Sequence, residues 1–183
     1  ALADEHDLAF ALDEVQCGYG RTGALFAYEE SGIEPDILVC AKGIGGGFPL
    51  AATLVKEKIG EVMIPGSHGS TYGSNPLACA VGQVVLTEIT RPGFLPQVAQ
   101  TGRYFQARLQ ELCDDFPLLF SKVSGKGLIL GLEMANPGEK YTFNAQLLRH
   151  GLIVAPAVTA VLRLLPSLIL TKEHVDEAIS IFR

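Results

Sequence analysis

The chain has 183 residues, of which 48% are hydrophobic and 19% are charged. It can therefore bury a sizeable core, and disorder is not expected. The formal net charge of −6 argues against nucleic acid or an anionic membrane as the main partner. No apolar run reaches transmembrane length, and no secretory signal pattern opens the chain.

The sequence begins at Ala1 without an initiator methionine, in what reads as the last turn of a helix. This start predicts a fragment of a longer chain, so a targeting peptide upstream stays an open possibility. The cysteines are far apart and show neither CxxC nor cysteine–histidine ligand spacing. We interpret them as reduced residues in or near the core of a cytoplasmic protein, and we predict neither disulfides nor a metal site. They are Cys17, Cys40, Cys79 and Cys113.

Strands alternate with loops and a short helix over the first 55 residues. This order predicts an α/β fold with a mostly parallel sheet. Asp13 directly follows the first apolar run, and Lys42 directly follows the second. The predicted strands cover residues 8–12, 37–41 and 49–55, and the helical piece covers residues 25–30.

Asp13 and Lys42 are expected at the same edge of the sheet, where α/β proteins bind ligands. A lysine there can contact an anion, or it can act as an amine nucleophile that forms a Schiff base. A pyridoxal phosphate (PLP) site needs this pair, because the carboxylate keeps the pyridine nitrogen protonated. Gln16 could bind the ring hydroxyl and Val15 could pack on a ring face. The spacing fits equally well a turn capped by Asp13 and Glu14, with Lys42 solvated at a strand end.

Four glycines follow Lys42 within residues 43–47. Phe48 stands where a dinucleotide-binding fingerprint requires glycine or alanine, and the lysine precedes the glycines, unlike in a phosphate-binding nucleotide loop. A nucleotide site is therefore a poor fit. We expect the glycines to let the backbone pass close to a cofactor.

A loop rich in glycine and hydroxyl groups covers residues 66–75. Asn75 is the predicted N-cap of the next helix, and Pro76 is its first residue. This helix runs to about Thr90 and is apolar nearly all round, which predicts either deep burial or a subunit interface.

The break at residues 91–93 (RPG) is the predicted domain boundary, which gives domains 1–91 and 92–183. A regular apolar stripe in the following helix predicts a core-facing surface. Thr171 is the expected cap of the last helix. The second half is thus a predicted small α+β domain, with strands over residues 127–134, 152–155 and 161–165 and a helix over residues 142–150.

Three motifs stand in order: residues 12–23 (LDEVQCGYGRTG), 41–49 (AKGIGGGFP) and 68–78 (HGSTYGSNPLA). Together they resemble the class III (ω-) aminotransferases, and in particular the acetylornithine aminotransferase branch. The resemblance covers the whole chain and includes residues 163–166 (RLLP), which look like the substrate-binding motif of that branch. It implies the C-terminal half of a fold-type I PLP-transferase: the back of the large domain followed by the small domain.

The resemblance implies a role for each residue of the site. Lys42 would link covalently to PLP and later shuttle the substrate proton, while Asp13 and Gln16 would contact the ring. Ser70 and Thr71 would bind the cofactor phosphate of the neighbouring subunit, so a homodimer with shared sites is expected. Arg163 would bind the substrate α-carboxylate as a bidentate fork.

The implied reaction transfers an amino group between N-acetylornithine, or a similar ω-amino acid, and 2-oxoglutarate by a ping-pong route. The alternatives are another ω-aminotransferase (for ornithine, succinylornithine or γ-aminobutyrate), an aminomutase, or a non-catalytic domain of the same fold. The family's cofactor-phosphate loop and ring-stacking aromatic have no counterpart in this sequence, so we expect the isolated chain to be inactive. Ser74 and Ser167 stand where the family usually has glycine and proline.

Overall fold

The computed structural model describes residues 2–157 and 159–183. The chain divides into two compact units. The first contains the chain up to Tyr19 together with Ala24–Phe94, and the second contains Gly20–Gly23 together with Leu95–Arg183. The chain thus passes to the second unit after Phe94, whereas the sequence prediction places the boundary after residue 91. The inclusion of Gly20–Gly23 in the second unit has no counterpart in that prediction.

The first unit is built on a three-stranded sheet of order β1-β2-β3. β1 (Ala11–Asp13) pairs in parallel with β2 (Ile37–Cys40), and β2 pairs antiparallel with β3 (Ala52–Val55). The chain is therefore α/β, but only one of the two strand pairings in this sheet is parallel, whereas the sequence predicts a mostly parallel sheet. The connection over residues 41–51 holds one 3-10 turn and no crossover helix, which a parallel pairing would require.

α3 (Pro76–Ile89) is the long helix of the first unit, and it starts as predicted. Asn75 is the N-cap, since its Oδ1 accepts a hydrogen bond from the backbone N–H of Ala78 at 2.9 Å. Pro76 takes the first helical position, where the N–H that proline lacks would have no partner within the helix. The shorter helical pieces of the unit are α1 (Leu2–Glu5), α2 (Glu57–Gly60) and the 3-10 turns Ala27–Ser31 and Lys42–Gly45.

The buried residues of α3 are Ala78, Gly82 and Ile89. Several of its large apolar side chains point outward instead: Leu77 is 63% exposed and Val84 is 64% exposed. The prediction of a deeply buried helix is therefore wrong for this chain. The alternative, a helix at a subunit interface, stays a prediction.

The second unit contains a four-stranded antiparallel sheet of order β4-β5-β7-β6. The sequence analysis missed β4, because its segment FSKVSGK mixes two lysines and a glycine with few apolar residues. The predicted strand at 152–155 is mostly absent, because the Leu152 N–H donates to the Leu147 carbonyl at 2.9 Å and closes the preceding helix. The strands are β4 (Phe120–Lys126), β5 (Ile129–Met134), β6 (Ala155–Pro156) and β7 (Val161–Leu164).

Three helices complete this unit: α4 (Phe94–Asp115), α5 (Lys140–Arg149) and α6 (Lys172–Phe182). The predicted stripe of α4 is confirmed, because its central members are buried. Thr171 and His174 form a reciprocal capping box at the start of α6. None of the helices in residues 2–157 and 159–183 has the length and apolarity to cross a membrane. The buried stripe of α4 consists of Val98, Gly102, Phe105, Leu109 and Leu112.

Candidate active site

Asp13 and Lys42 lie at the same edge of the first sheet. Asp13 is the last residue of β1 and stands opposite Val39 of β2 in a parallel register. The Glu14 N–H donates to the Val39 carbonyl at 2.8 Å, which extends this pairing by one step. Lys42 begins the 3-10 turn that follows β2. The carboxylate and the amine therefore both emerge at the carboxyl ends of paired parallel strands, as the sequence predicts.

The Asp13 carboxylate is held by its own backbone. Its Oδ1 accepts a hydrogen bond from the Val15 N–H at 2.9 Å, which is an Asx-type turn. An ionised carboxylate can accept several further hydrogen bonds, so Asp13 retains capacity for a donor from a ligand. Asp13 is exposed, and Val15 and Gln16 are half-buried.

Glu14 points the other way and is buried, with 4% of its surface exposed. Its two carboxylate oxygens accept hydrogen bonds from the backbone N–H groups of Ala27 and Tyr28, each at 2.8 Å. These are orphan donors at the start of the Ala27–Ser31 turn, so Glu14 acts as a long-range cap. It thereby anchors the backbone that carries Asp13.

Lys42 has a left-handed backbone conformation, with φ of 48°. This region is unfavourable for a residue with a Cβ, by about 1–2 kcal/mol. The turn stays in place because it packs on α3: a Cβ on Gly46 would lie 2.8 Å from Val85, and one on Gly82 would lie 3.6 Å from the Ile44 carbonyl oxygen. The exposed Lys42 side chain is thus carried by a strained and tightly packed turn.

Ser70 and Thr71 are both exposed in the loop that leads to the Asn75 cap. Ser74, in the same loop, has φ of 58°. This is a conformation that glycine adopts without strain, which fits the glycine found here in the family the sequence resembles. The loop thus presents two hydroxyl groups to solvent on a backbone that turns sharply just before α3.

Arg163 lies in the second unit on β7, which is an interior strand between β5 and β6. Arg163 is therefore not a solvated charge on an edge strand. Its Nε is buried and has no hydrogen-bond partner among the described residues. Arg163 lines a cavity of about 640 Å³. An orphaned guanidinium donor beside a cavity suits a carboxylate. The cavity walls are otherwise mostly apolar, including Phe105, Leu152, Val154, Leu165, Ile169 and Val175.

The thiols and the acidic side chains offer no metal centre: among the described residues, no group of three or more His, Cys, Asp or Glu could hold a metal ion. All four cysteines are free thiols. Cys79 is exposed, so its predicted near-core position is wrong. Burial, followed by the adjacent Glu14 carboxylate, raises the pKa of Cys17, so this thiol stays protonated at neutral pH.

Two cationic side chains contact backbone carbonyl groups in roles that the sequence does not predict. Lys140 is 3% exposed, and its ammonium group donates to the carbonyl oxygens of Ala157 and Thr159. The half-buried Arg21 also donates to backbone carbonyl oxygens, those of Leu128 and Pro166. Neither role has a local sequence signal, because the acceptors are carbonyl groups far away in the chain.

Comparison with known proteins agrees with this architecture. The sequence matches the aminotransferase class III family over residues 1–183. It is 44% identical to an acetylornithine aminotransferase of Aquifex aeolicus over 182 residues, which cover 100% of this chain and 46% of that protein. It is 46% identical to an acetylornithine aminotransferase of Caldanaerobacter subterraneus over 181 residues, which cover 98% of this chain and 45% of that protein.

Solved structures give the same result. A crystal structure of acetylornithine aminotransferase from Elizabethkingia anophelis matches with a TM-score of 0.92 and 34% identity, covering 98% of this chain and 46% of that one. Ornithine δ-aminotransferase from Plasmodium falciparum matches with a TM-score of 0.90 and 33% identity, covering 98% of this chain and 47% of that one. The architecture is thus shared with solved aminotransferase structures. The chain belongs to the class III aminotransferase family, and it spans about half the length of the curated relatives it matches.

The donor set at the sheet edge fits PLP, the cofactor of this family. Lys42 supplies an exposed amine, and the turn-held Asp13 supplies a carboxylate with spare acceptor capacity. The half-buried Gln16 supplies an amide three positions after Asp13. This combination meets the needs of a pyridine aldehyde, which are an amine, a carboxylate and a polar group for the ring oxygen.

Proposed function

We propose that the full-length protein is a PLP-dependent aminotransferase. It transfers an amino group between N-acetylornithine, or a similar ω-amino acid, and 2-oxoglutarate in two half-reactions of a ping-pong cycle. The observation that carries this proposal is the emergence of Asp13 and Lys42 from the carboxyl ends of two paired parallel strands. The names of the relatives support the choice of donor.

When bound, PLP supplies an aldehyde and an electron-accepting ring. Lys42 would hold this aldehyde through Nζ, and once the substrate amine has displaced it the same Nζ would take the proton from the substrate Cα. Asp13 would keep the pyridine nitrogen protonated, which would maintain the ring's demand for electrons. Gln16 would bind the ring oxygen and Val15 would pack on one face of the ring.

The remaining roles concern the phosphate and the substrate. Ser70 and Thr71 donate to the cofactor phosphate in the neighbouring subunit of a homodimer, and their exposure in this chain is compatible with such a role. Arg163 binds the α-carboxylate of both substrates with its guanidinium fork. The proposal includes a cytoplasmic location, which the four free thiols support.

Borohydride reduction in the presence of PLP tests the cofactor linkage. In the full-length protein we expect peptide mapping to find the label on Lys42, and Lys42→Arg to lose both the label and the activity. Lys58→Ala is the matched control, because Lys58 is an exposed lysine paired with Asp7 and is expected to keep the label on Lys42. A label on Lys56 or Lys58, or no label, would contradict the assignment.

Ornithine is the second candidate donor, because ornithine aminotransferase structures match nearly as well as those acting on acetylornithine. Initial rates with N-acetylornithine, ornithine, succinylornithine and γ-aminobutyrate, each with 2-oxoglutarate, separate these donors. Formation of glutamate distinguishes transamination from an aminomutase reaction, which needs no external oxo acid.

A further inference from the structure

Arg21 occupies one end of the pairing between β5 and β7. Its Nη1 donates to the Leu128 carbonyl at 3.2 Å and also to the Pro166 carbonyl. In return, the Leu128 N–H donates to the Arg21 carbonyl at 2.8 Å. Arg21 therefore bonds to Leu128 with both its backbone and its side chain, and it reaches Pro166 at the same time.

These acceptors lie just beyond the strand ladder. The last pair in the register is Leu130 opposite Leu164, so the Leu128 and Pro166 carbonyls fall outside it. Pro166 has no N–H, so the pairing cannot continue through its nitrogen. The guanidinium group supplies donors where the ladder has none, and it joins the start of β5 to the exit of β7.

The Arg21 backbone is held closely in this position. A Cβ on Gly127 would lie 2.6 Å from the Arg21 carbonyl oxygen, and Gly127 is itself in contact with Gly102 of α4. Burial lowers the pKa of the Arg21 guanidinium, but an arginine remains charged at neutral pH. A half-buried guanidinium group that donates to two carbonyl oxygens is held in one orientation, unlike the side chain of a flexible surface arginine.

The segment at the C-terminal end of β7 follows closely after Arg163 in the chain. Arg163, Leu164, Leu165, Pro166 and Ser167 all line the same cavity, and Arg163 is the residue whose Nε lacks a partner. Movement of Pro166 would therefore turn the strand end that directs the Arg163 fork. Bidentate carboxylate binding depends on that direction, because both N–H groups must meet two oxygens in one plane.

We propose that Arg21 is a positioning residue for Arg163: by clamping Leu128 and Pro166, it sets the orientation in which Arg163 meets a substrate carboxylate. The inference rests on the role proposed above for Arg163. Loss of the clamp weakens binding of the amino donor and of the oxo acid alike, while the chemistry at Lys42 proceeds at a similar rate once substrate is bound.

The test uses the full-length protein loaded with PLP and the variants Arg21→Lys and Arg21→Gln. A lysine keeps the charge but lacks the planar fork, and a glutamine keeps a planar donor without the charge. We expect KM for both substrates to rise about tenfold and kcat to change by no more than about threefold, the pattern of a misplaced binding group. PLP content is expected to stay at the wild-type level.

Thr22→Val is the matched control, because the Thr22 Oγ1 is buried and has no hydrogen-bond partner among the described residues. Removing this hydroxyl keeps the shape of the segment and breaks no hydrogen bond, so wild-type KM is expected. A wild-type KM in both Arg21 variants, or a fall in kcat with KM unchanged, would overturn the proposal. Loss of PLP from both Arg21 variants would also overturn it, since Arg21 would then support the fold as a whole.

A second measurement does not depend on turnover. The Kd of the holoprotein for glutarate, a non-reactive dicarboxylate, is determined by calorimetry for wild type, Arg21→Lys, Arg163→Lys and the double variant. We expect both single variants to bind more weakly and the double variant to bind no more weakly than Arg163→Lys. If the losses of binding free energy in the two single variants add up in the double variant, the positioning role is refuted. An inactive wild type that still shows this pattern would instead refute only the proposed reaction.

Discussion

Lys42 and Ser74 show what a single backbone conformation can reveal. Both are non-glycine residues in the left-handed region, with φ of 48° and 58°. Lys42 carries the proposed chemistry, and strained residues concentrate at functional sites because the surrounding packing holds them there. Ser74 lies three positions after Thr71 and keeps a conformation suited to glycine. The strain at Lys42 belongs to the proposed site, whereas that at Ser74 can be removed by a single substitution.

Ser74→Gly is expected to stabilise the protein. Glycine adopts this φ without steric penalty, and the relief of about 1–2 kcal/mol exceeds the cost of about 0.5–1 kcal/mol that arises from the greater entropy of glycine in the unfolded chain. The free energy of unfolding from a denaturant titration of the full-length protein measures the change. Ser67→Gly in the same loop is the control and is expected to be neutral or slightly destabilising, because Ser67 is not among the left-handed residues. A decrease in stability for Ser74→Gly would contradict the strain argument.

The contact between α4 and the turn that joins β4 to β5 shows how elements are held together in the second unit. A Cβ on Gly102 of α4 would lie 2.5 Å from the backbone of Gly127. Real Cβ atoms do not approach backbone so closely, so only glycine permits this helix position. The apolar stripe of α4 and the caps Asn75 and Thr171 could be predicted from the sequence, because each depends on residues within a few positions. The glycine contact could not, because its two partners are 25 residues apart.

Gly102→Ala is expected to destabilise the protein by about 2–4 kcal/mol, because backbone must move to make room for the methyl group. The gain in helix propensity, about 1 kcal/mol, is too small to offset this cost. Gly60→Ala in α2 is the control, since its added Cβ would lie at an ordinary 3.7 Å from Val55. Thermal unfolding of the two full-length variants compares them. Equal or higher stability of Gly102→Ala would show that the α4 contact is loose.

At the scale of the whole molecule, α3 has an apolar face that no other part of this chain covers. Leu77, Val84 and Leu86 are exposed, and α3 directly follows the loop that holds Ser70 and Thr71. A homodimer with shared sites, as proposed, would cover this face and bring that loop to a neighbouring cofactor. Exposed apolar surface on this scale is typical of an interaction site.

Val84→Asp is therefore expected to raise the dimer dissociation constant of the full-length protein about a hundredfold or more, because a buried unpaired charge costs several kcal/mol. Sedimentation velocity over a range of concentrations measures the constant. Ala107→Asp, an equivalent change at an exposed position of α4, is the control and is expected to leave the dimer intact. An unchanged dimer in Val84→Asp would place the interface elsewhere.

Local sequence determined the caps, the core stripe of α4 and the expectation that Asp13 and Lys42 share one edge. These features depend on periodicity, on short-range hydrogen bonds and on the rule that parallel strands end together. Only the tertiary structure decided the antiparallel β3, the interior position of Arg163, the cap supplied by Glu14 and the clamp formed by Arg21. Each of these depends on contacts between residues far apart in the chain, often with backbone groups: every residue offers a carbonyl, and every residue except proline offers an N–H. Such partners produce no pattern in the composition or residue spacing of the sequence, so only the folded structure identifies them.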